Sequence, residues 1–442
     1  MLAMNTERNP LLKHLRSDLP GRFNEADVLK KQWPRFAAHM QGAVLPPFEV
    51  LIHPSSACNL MCAWCIGDHV PIVKTDGDAR QVVLDAAKTA EERLPDVLRD
   101  PEAMMRLITG IVNYRKVGRW QEGGAWQERE FYVENVQFSG LIGEPLASKA
   151  AVMRAMNYLV DNSRRVGLFT NAVLADESTW DTLLRIAYVV VSVDSGTAET
   201  YGKLKYGGRK HGPEQFKQML RNVEGLVRRR ATTPDSRLAV NTAYIVYPEN
   251  HHELYTAARI LKDIGVDCLR VKRDISGDRV LSEAQQAATV EQIERIKAEL
   301  EDESFRFFEI HNLGERPEFT RKFSFCTITE LMAAVGSDGK LYPCNYHPRP
   351  GGTNYGDATV QSFGEIWEGQ ARARLKKGLP SVCPKVCDPF KNRANQLLAS
   401  LVGIYEQRGR EDAEACRDEL LEAFSKVAPA KAAGQSLEER KA

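Results

Sequence analysis

Six short apolar runs punctuate this chain, at residues 48–52, 131–138, 166–169, 188–193, 238–246 and 268–272. Amphipathic segments separate them, at 102–114, 149–162, 177–186, 213–229, 253–264 and 283–300. Apolar runs of strand length alternating with helical ones predict βα units, an α/β fold and a parallel sheet. The crossovers between parallel strands are right-handed. Six such units curl into a partial (β/α)6 barrel, and an open doubly wound sheet fits the alternation equally well.

The pattern changes after residue 310. Residues 305–310 read as one more strand. Residues 331–335 and 340–342 flank Gly336-Ser337-Asp338-Gly339, a hairpin signal because Asp-Gly supplies positive φ. A Pro- and Gly-rich stretch, 348–356, follows, then helical patterns at 363–377 and 392–424. The predicted organisation is a helical lead-in (1–46), a barrel domain (47–310), a small cysteine-rich hairpin and helix domain (311–390), and C-terminal helices with a disordered tail (391–442).

Composition narrows the function classes. Sixty basic residues against fifty-nine acidic leave a formal charge of +1, without the basic excess that a nucleic-acid binder needs. No apolar run reaches the ~18 residues of a membrane span. The first 22 residues are charged and lack the apolar core of a secretory signal. A cytoplasmic location is the expectation, and there clustered cysteines mean metal or redox chemistry more often than disulfides. Seven of the nine cysteines cluster: Cys58, Cys62 and Cys65, then Cys326, Cys344, Cys383 and Cys387. Cys268 and Cys416 read as ordinary buried thiols.

Cys58-Asn-Leu-Met-Cys62-Ala-Trp-Cys65 follows the first predicted strand, at the end where parallel α/β proteins build their active sites. A cubane iron–sulfur cluster normally takes four cysteines. Three thiolates from one loop leave one iron open for a ligand. A zinc site would need a fourth ligand and usually a Cys-x₂-Cys pair, and no fourth cysteine is near.

At these residues the chain resembles the radical S-adenosylmethionine (SAM) superfamily, whose Cys-x₃-Cys-x-aromatic-Cys loop it matches with Trp64 as the aromatic. The resemblance implies that the open iron chelates the SAM amino and carboxylate groups. One electron then cleaves SAM, and the 5′-deoxyadenosyl radical abstracts hydrogen from a substrate. It implies further SAM contacts. Gly140-Leu-Ile-Gly143-Glu144-Pro145 is similar to the family's Gly-Gly-Glu-Pro segment, with its glycines separated. Thr170-Asn171-Ala172 is similar to a Thr-Asn-Gly at the end of the third strand. Ser192, Asp194 and Ser195 end the fourth strand, where they serve the SAM ribose or cap a helix with about equal expectation.

Cys326, Cys344, Cys383 and Cys387 suffice to saturate a second cubane, or a structural zinc. Resemblance favours the cubane. Cys326, the Gly339-x₄-Cys344 hairpin and the later pair look like the auxiliary-cluster domains called Twitch and SPASM, in the one-cluster form. The last pair, Cys383-x₃-Cys387, departs from the usual Cys-x₂-Cys.

The expected cofactors are therefore SAM, a SAM-binding [4Fe-4S] cluster and an auxiliary [4Fe-4S] cluster. The expected substrate is a small polar molecule such as a sugar, aminocyclitol or aminoglycoside, because the 46 residues before the first strand show no alternating pattern that would offer a peptide a strand edge. A peptide or protein side chain is the alternative, and a two-cluster electron carrier is the rival from another class. The resemblance implies a reducing partner such as flavodoxin or ferredoxin. No general base is identified; Asp68, His69, Lys272 and Asp274 are polar residues near strand ends and read first as surface or capping groups.

Overall fold

The computed structural model describes residues 25–62, 65, 70–74, 82–84, 94–140, 143–275, 279–310, 313–314, 323–383 and 387–427. Trp64, Asp68, His69 and the C-terminal tail lie outside them. In chain order, helices α1 (Glu25–Lys31) and α2 (Trp33–Met40) lead into β1 (Glu49–Ile52), and short strands β2 (Ala57–Cys58), β3 (Val70–Lys74) and β4 (Val82–Leu84) follow. Next come α3 (Pro101–Asn113) and a hairpin of β5 (Arg115–Glu122) and β6 (Ala125–Tyr132). The barrel continues as β7 (Asn135–Phe138), α4 (Lys149–Asp161), β8 (Arg165–Thr170), α5 (Glu177–Leu183) and β9 (Tyr188–Ser192). After α6 (Ala198–Tyr206) and α7 (Gly212–Ala231) come β10 (Ala239–Val246), α8 (Leu254–Ile264), β11 (Cys268–Arg273), α9 (Glu283–Glu299) and β12 (Arg306–Glu309). The C-terminal part holds β13 (Met332–Val335), β14 (Lys340–Tyr342), β15 (Gly356–Asp357), α10 (Phe363–Glu368), α11 (Gln370–Lys377), α12 (Pro389–Arg408) and α13 (Arg410–Val427).

All six predicted barrel strands form. The run at 131–138 divides: its first two residues end β6, and β7 begins at Asn135. Strand order decides between the two candidate architectures. From β1 the parallel sheet runs β7-β8-β9-β10-β11-β12 without reversal. A doubly wound sheet reverses its order at a switch point. Monotonic order with right-handed crossovers puts every helix on one face, which is the winding of a barrel.

The convex face carries the main core. Val50, Ile52, Val136, Phe138, Val166, Leu168, Val189, Val191, Val240, Leu269 and Val271 meet the apolar stripes of the outer helices. In α4 that stripe is Ala151, Val152, Ala155, Met156 and Leu159, the i, i+4 spacing of one helical face. The alternate residues of the strands face the concave side. There Tyr188, Val190, Ala239 and Ala243 form a small separate cluster with Phe169.

A second core unites the chain ends. Trp33 and Phe36 of α2, Trp120 and Phe131 of the hairpin, and Leu398, Leu420 and Phe424 of the last helices pack on Leu51, Met332 and Ala334. Arg35 is buried here, bonded to Glu134 at 2.9 Å and to the Tyr132 carbonyl at 2.7 Å. Glu330 sits in the same layer between Arg372 and Lys376, each at 2.6 Å.

The C-terminal hairpin joins the barrel sheet directly. β13 pairs parallel to β1, from Glu49↔Met332 to Ile52↔Val335, and β14 then pairs antiparallel to β13. Gly339, at φ +75°, makes the turn that the Asp-Gly pair predicts. The helical pattern at 363–377 breaks into α10 and α11 at Gly369, which is extended at φ −69° and ψ 154°. The pattern at 392–424 breaks at Gly409, at φ +94°.

Candidate active site

The cysteine loop leaves the C-terminal end of β1 through His53-Pro54-Ser55-Ser56. Cys58 and Cys62 are half-buried and Cys65 is exposed. Burial, with Cys62, Glu144 and Cys65 nearby, pushes the Cys58 thiol well up; burial takes Cys62 to about 11 against the pull of Lys205. Two thiols held protonated by burial, with a third exposed on the same short loop, suit a metal centre whose assembly releases protons.

Side chains from several strand ends hold this loop. The Glu144 N–H donates to the Ala57 carbonyl at 2.9 Å. The Glu144 carboxylate accepts from Thr170 Oγ1 at 2.5 Å, from the Asn171 N–H at 2.9 Å and from the Leu146 N–H at 3.1 Å. It thus clamps the end of β7 to the end of β8. Burial raises its pKa against these donors. Asn171 Nδ2 donates to Asn59 Oδ1 at 2.8 Å, tying the end of β8 into the cysteine loop. Gly143 has no room for a side chain: a Cβ there would lie 2.2 Å from the Ser55 carbonyl oxygen. Pro145 is buried beside it. Gly140 is as tight, with the Gly143 carbonyl oxygen 2.7 Å from a Cβ.

A buried ion pair forms the other wall. Asp194, at φ +55°, pairs Oδ2 with Lys205 Nζ at 2.7 Å and accepts the Ile245 N–H through Oδ1 at 2.6 Å. Lys205 also donates to the Ser192 carbonyl at 2.6 Å, and its own carbonyl accepts the Met61 N–H at 2.8 Å. One lysine of α6 therefore links β9 to the cysteine loop. Tyr201, one turn earlier, is fully buried, and its pKa rises through burial and through Cys62, Asp194 and Cys58. Ser195 bonds only its neighbour's carbonyl, the Asp194 oxygen at 2.7 Å.

The second cysteine group lies around one cavity. Cys326, Cys344, Cys383 and Cys387 line it, with Tyr346, His347, Asp388 and Lys391 also in its wall. Burial raises the Cys326 thiol, and the other three cysteines add to the rise. Four thiols around one void fit a fully ligated cluster. Cys268, on β11, lies away from both groups; burial pushes its thiol up to about 12. Cys416 is buried in the second core.

Lys272 lies near the end of β11 and Asp274 just past it, and the Asp274 carboxylate accepts the Arg279 N–H at 3.3 Å. The sequence reading missed His53, Asn59, Tyr201 and Lys205. His53 follows the first strand directly and Asn59 lies inside the cysteine loop, which were usable signals. Lys205 and Tyr201 sit on a short helix whose position is set by tertiary packing.

Comparison with known proteins agrees with this geometry. Residues 326–388 match SPASM, an iron–sulfur cluster-binding domain. The fold is that of SuiB from Streptococcus suis, solved bound to its precursor peptide SuiA: 14% identity over 86% of this chain and 77% of SuiB, with a TM-score of 0.50. SuiB bound to S-adenosylmethionine aligns at 13% identity over 84% and 76% of the two chains, TM-score 0.49. The enzyme anSMEcpe, with AdoMet and the Cp18Cys peptide, aligns at 16% identity over 86% and 97%, TM-score 0.47. No curated protein matches the chain in sequence. The chain therefore carries an iron–sulfur cluster-binding domain at residues 326–388, on a fold similar to that of SuiB. The cofactor class that the matched domain gives is an iron–sulfur cluster. Among the described residues, no helix is long and apolar enough to cross a membrane.

Proposed function

We propose that the chain abstracts hydrogen from a peptide or protein side chain held at the barrel mouth, between the cysteine loop and the SPASM cavity. The observation that carries this reading is the sheet itself: β13, which leads into that cavity, lies in register beside β1, which leads into the cysteine loop. When bound, the first cluster supplies the electron that cleaves SAM to methionine and the 5′-deoxyadenosyl radical. Cys58, Cys62 and Cys65 would hold three of its irons, leaving the fourth position open. Cys326, Cys344, Cys383 and Cys387 would saturate the auxiliary cluster, which then acts as electron acceptor or structural support.

The remaining assignments follow the chemistry of each group. Gly140, Gly143 and Pro145 let backbone approach the SAM amino group closely. Ser192 and Asn171 border its ribose side. Glu144 and Asp194 spend their carboxylates on protein donors, and we assign both to positioning: Glu144 for the Gly143–Pro145 segment, Asp194 for the end of β9. Trp64 keeps its assignment as the aromatic of the loop.

Two observations support a peptide over the small polar molecule expected from sequence. The β5–β6 hairpin has no further strand on either outer edge among the described residues; Gln41 covers the β5 edge at Gln121, and the β6 edge offers strand pairing. The solved relative SuiB binds a precursor peptide. A sugar, aminocyclitol or aminoglycoside remains the second reading, favoured by the polar concave face, where Gln137, Asn241, Arg270 and Lys272 share the side opposite the main core.

The test is hydrogen transfer in anaerobically reconstituted protein. A peptide encoded beside the gene, deuterated at candidate side chains, passes deuterium into 5′-deoxyadenosine. Transfer from deuterated sugars alone would reverse the substrate assignment. Absence of any reductive SAM cleavage would end the whole reading.

A further inference from the structure

The concave face of the barrel ends in two cations, Arg270 and Lys272, with no ion-pair partner among the described residues. Arg270 and Lys272 alternate with the core residues Leu269 and Val271, so both face the concave side. In register they sit beside Ala243 and Ile245, whose apolar side chains offer them nothing. Lys272 has no hydrogen-bond or ion-pair partner among the described residues. The charged groups around it are Arg270, Asp388, Asp194 and Lys391. Asp194 is committed to Lys205 and to the Ile245 N–H. Asp388 caps α12, accepting the Lys391 N–H at 3.1 Å. Burial first, then Arg270, takes the Lys272 ammonium down to about 8.

His53 supplies an independent observation. It is fully buried at the end of β1, and its Nδ1 lies 3.2 Å from the Ser139 carbonyl. A carbonyl can only accept, so Nδ1 carries the proton and Nε2 is a bare acceptor. Nε2 has no partner. His53 follows β1 and Lys272 lies near the end of β11, both at the C-terminal edge of the sheet, and Lys391 acts electrostatically on both. A buried polar atom left unbonded and a crowded cation left unpaired both cost free energy unless a ligand completes them.

We propose that Lys272, backed by Arg270 and facing Lys391, is an anion-binding subsite for the substrate, and that His53 Nε2 accepts a hydrogen bond from an O–H or N–H of the same molecule. The ligand class is a carboxylate or phosphate that also carries a donor. This rests on the reading of the barrel mouth as the substrate site. SAM is the other source of a carboxylate. The cation bonded to the cysteine loop's surroundings is Lys205, through its carbonyl to the Met61 N–H and its ammonium to Asp194. Lys272 instead looks toward the SPASM side. It is also absent from the wall of the four-cysteine cavity, which Lys391 joins.

The experiment is competitive amine labelling of the full-length reconstituted protein with acetic anhydride near pH 8, read at Lys272 by peptide mass spectrometry. Millimolar glutarate or inorganic phosphate slows Lys272 labelling by about tenfold, whereas SAM leaves it unchanged. Arg270→Gln loses the protection and Arg270→Lys keeps it. No slowing by either anion overturns the proposal. Slowing by SAM alone overturns it too, because the subsite then belongs to SAM. Iron content and 5′-deoxyadenosine are measured on the same preparation, so failure of the radical SAM reading shows separately.

Discussion

The two cysteine groups solve one chemical problem in opposite ways. Cys58, Cys62 and Cys65 come from a single loop of eight residues, and one of the three is exposed. Cys326, Cys344, Cys383 and Cys387 come from three chain segments and are all half-buried around a cavity. The local group depends on neighbours to fix its shape: Glu144, Asn171 and Lys205 each bond into the loop or its base. The dispersed group is shaped by the fold that assembles it. A loop with three thiols leaves an open position and suits chemistry; a cavity with four leaves none.

The sharpest way to break this contrast is to empty each group in turn. Replacing Cys58, Cys62 and Cys65 by Ala should remove about half of roughly eight irons and abolish 5′-deoxyadenosine formation. Replacing Cys326 and Cys344 by Ala should remove the other half while SAM cleavage without substrate continues. Iron assay and product chromatography decide it. If both variants lose cleavage equally, the division of labour is wrong.

Next in size is a pH effect at His53, just after β1. Burial, partly offset by the Ser139 carbonyl, holds His53 at about 4. The ordinary imidazole value is about 6.5. Between those values the unfolded chain takes a proton that the folded chain refuses, so this contribution is complete above ~6.5 and declines as pH falls toward 4. The drop is about 3 kcal/mol. Urea midpoints across that range should flatten in His53→Asn. An unchanged slope would show that His53 is solvated.

Glu144→Ala tests how far the local group leans on its supports. It removes acceptors from Thr170 and from two backbone N–H groups. The cost is about 2 kcal/mol in stability. SAM affinity, by calorimetry, should fall with it. Wild-type melting together with wild-type SAM binding would contradict the clamp.

The smallest effect sharpens the geometry at β8. Ala172 adopts φ +57°, which an alanine pays for and a glycine does not. Ala172→Gly should raise stability by about 0.5 kcal/mol after the glycine's extra unfolded-state entropy is subtracted. A loss of more than 1 kcal/mol would mean that the buried methyl outweighs the backbone strain.

These contrasts also explain what the sequence could reveal. Barrel strands announce themselves because burial on both faces makes them continuous apolar runs, and the three-thiol loop because its spacing is local. The β5–β6 hairpin went unread because its outer strand is almost wholly exposed and carries no alternation. Its Gly123-Gly124 turn, both residues at positive φ, was the available signal. Helix α6 is short and weakly amphipathic, so nothing in the sequence marks Lys205 as the partner of Asp194. The choice of barrel over doubly wound sheet needed strand order, a property of long-range pairing. The small-molecule expectation came from the lead-in's lack of a strand pattern, and the hairpin edge at 115–132 lies outside that lead-in.

The pairing of β1 with β13 also sets an order of events at the ribosome. β1 is made early and β13 near the end of the barrel, so the sheet cannot close until residues 332–335 have emerged. Until then β1 is an edge strand with only β7 as a partner, and contacts so distant in sequence form slowly. The cysteine loop therefore hangs from an open edge during most of synthesis, accessible to whatever delivers iron and sulfide. Cys344, Cys383 and Cys387 do not yet exist at that stage. Maturation of the first site can precede the second, and the arrival of β13 closes the edge behind it.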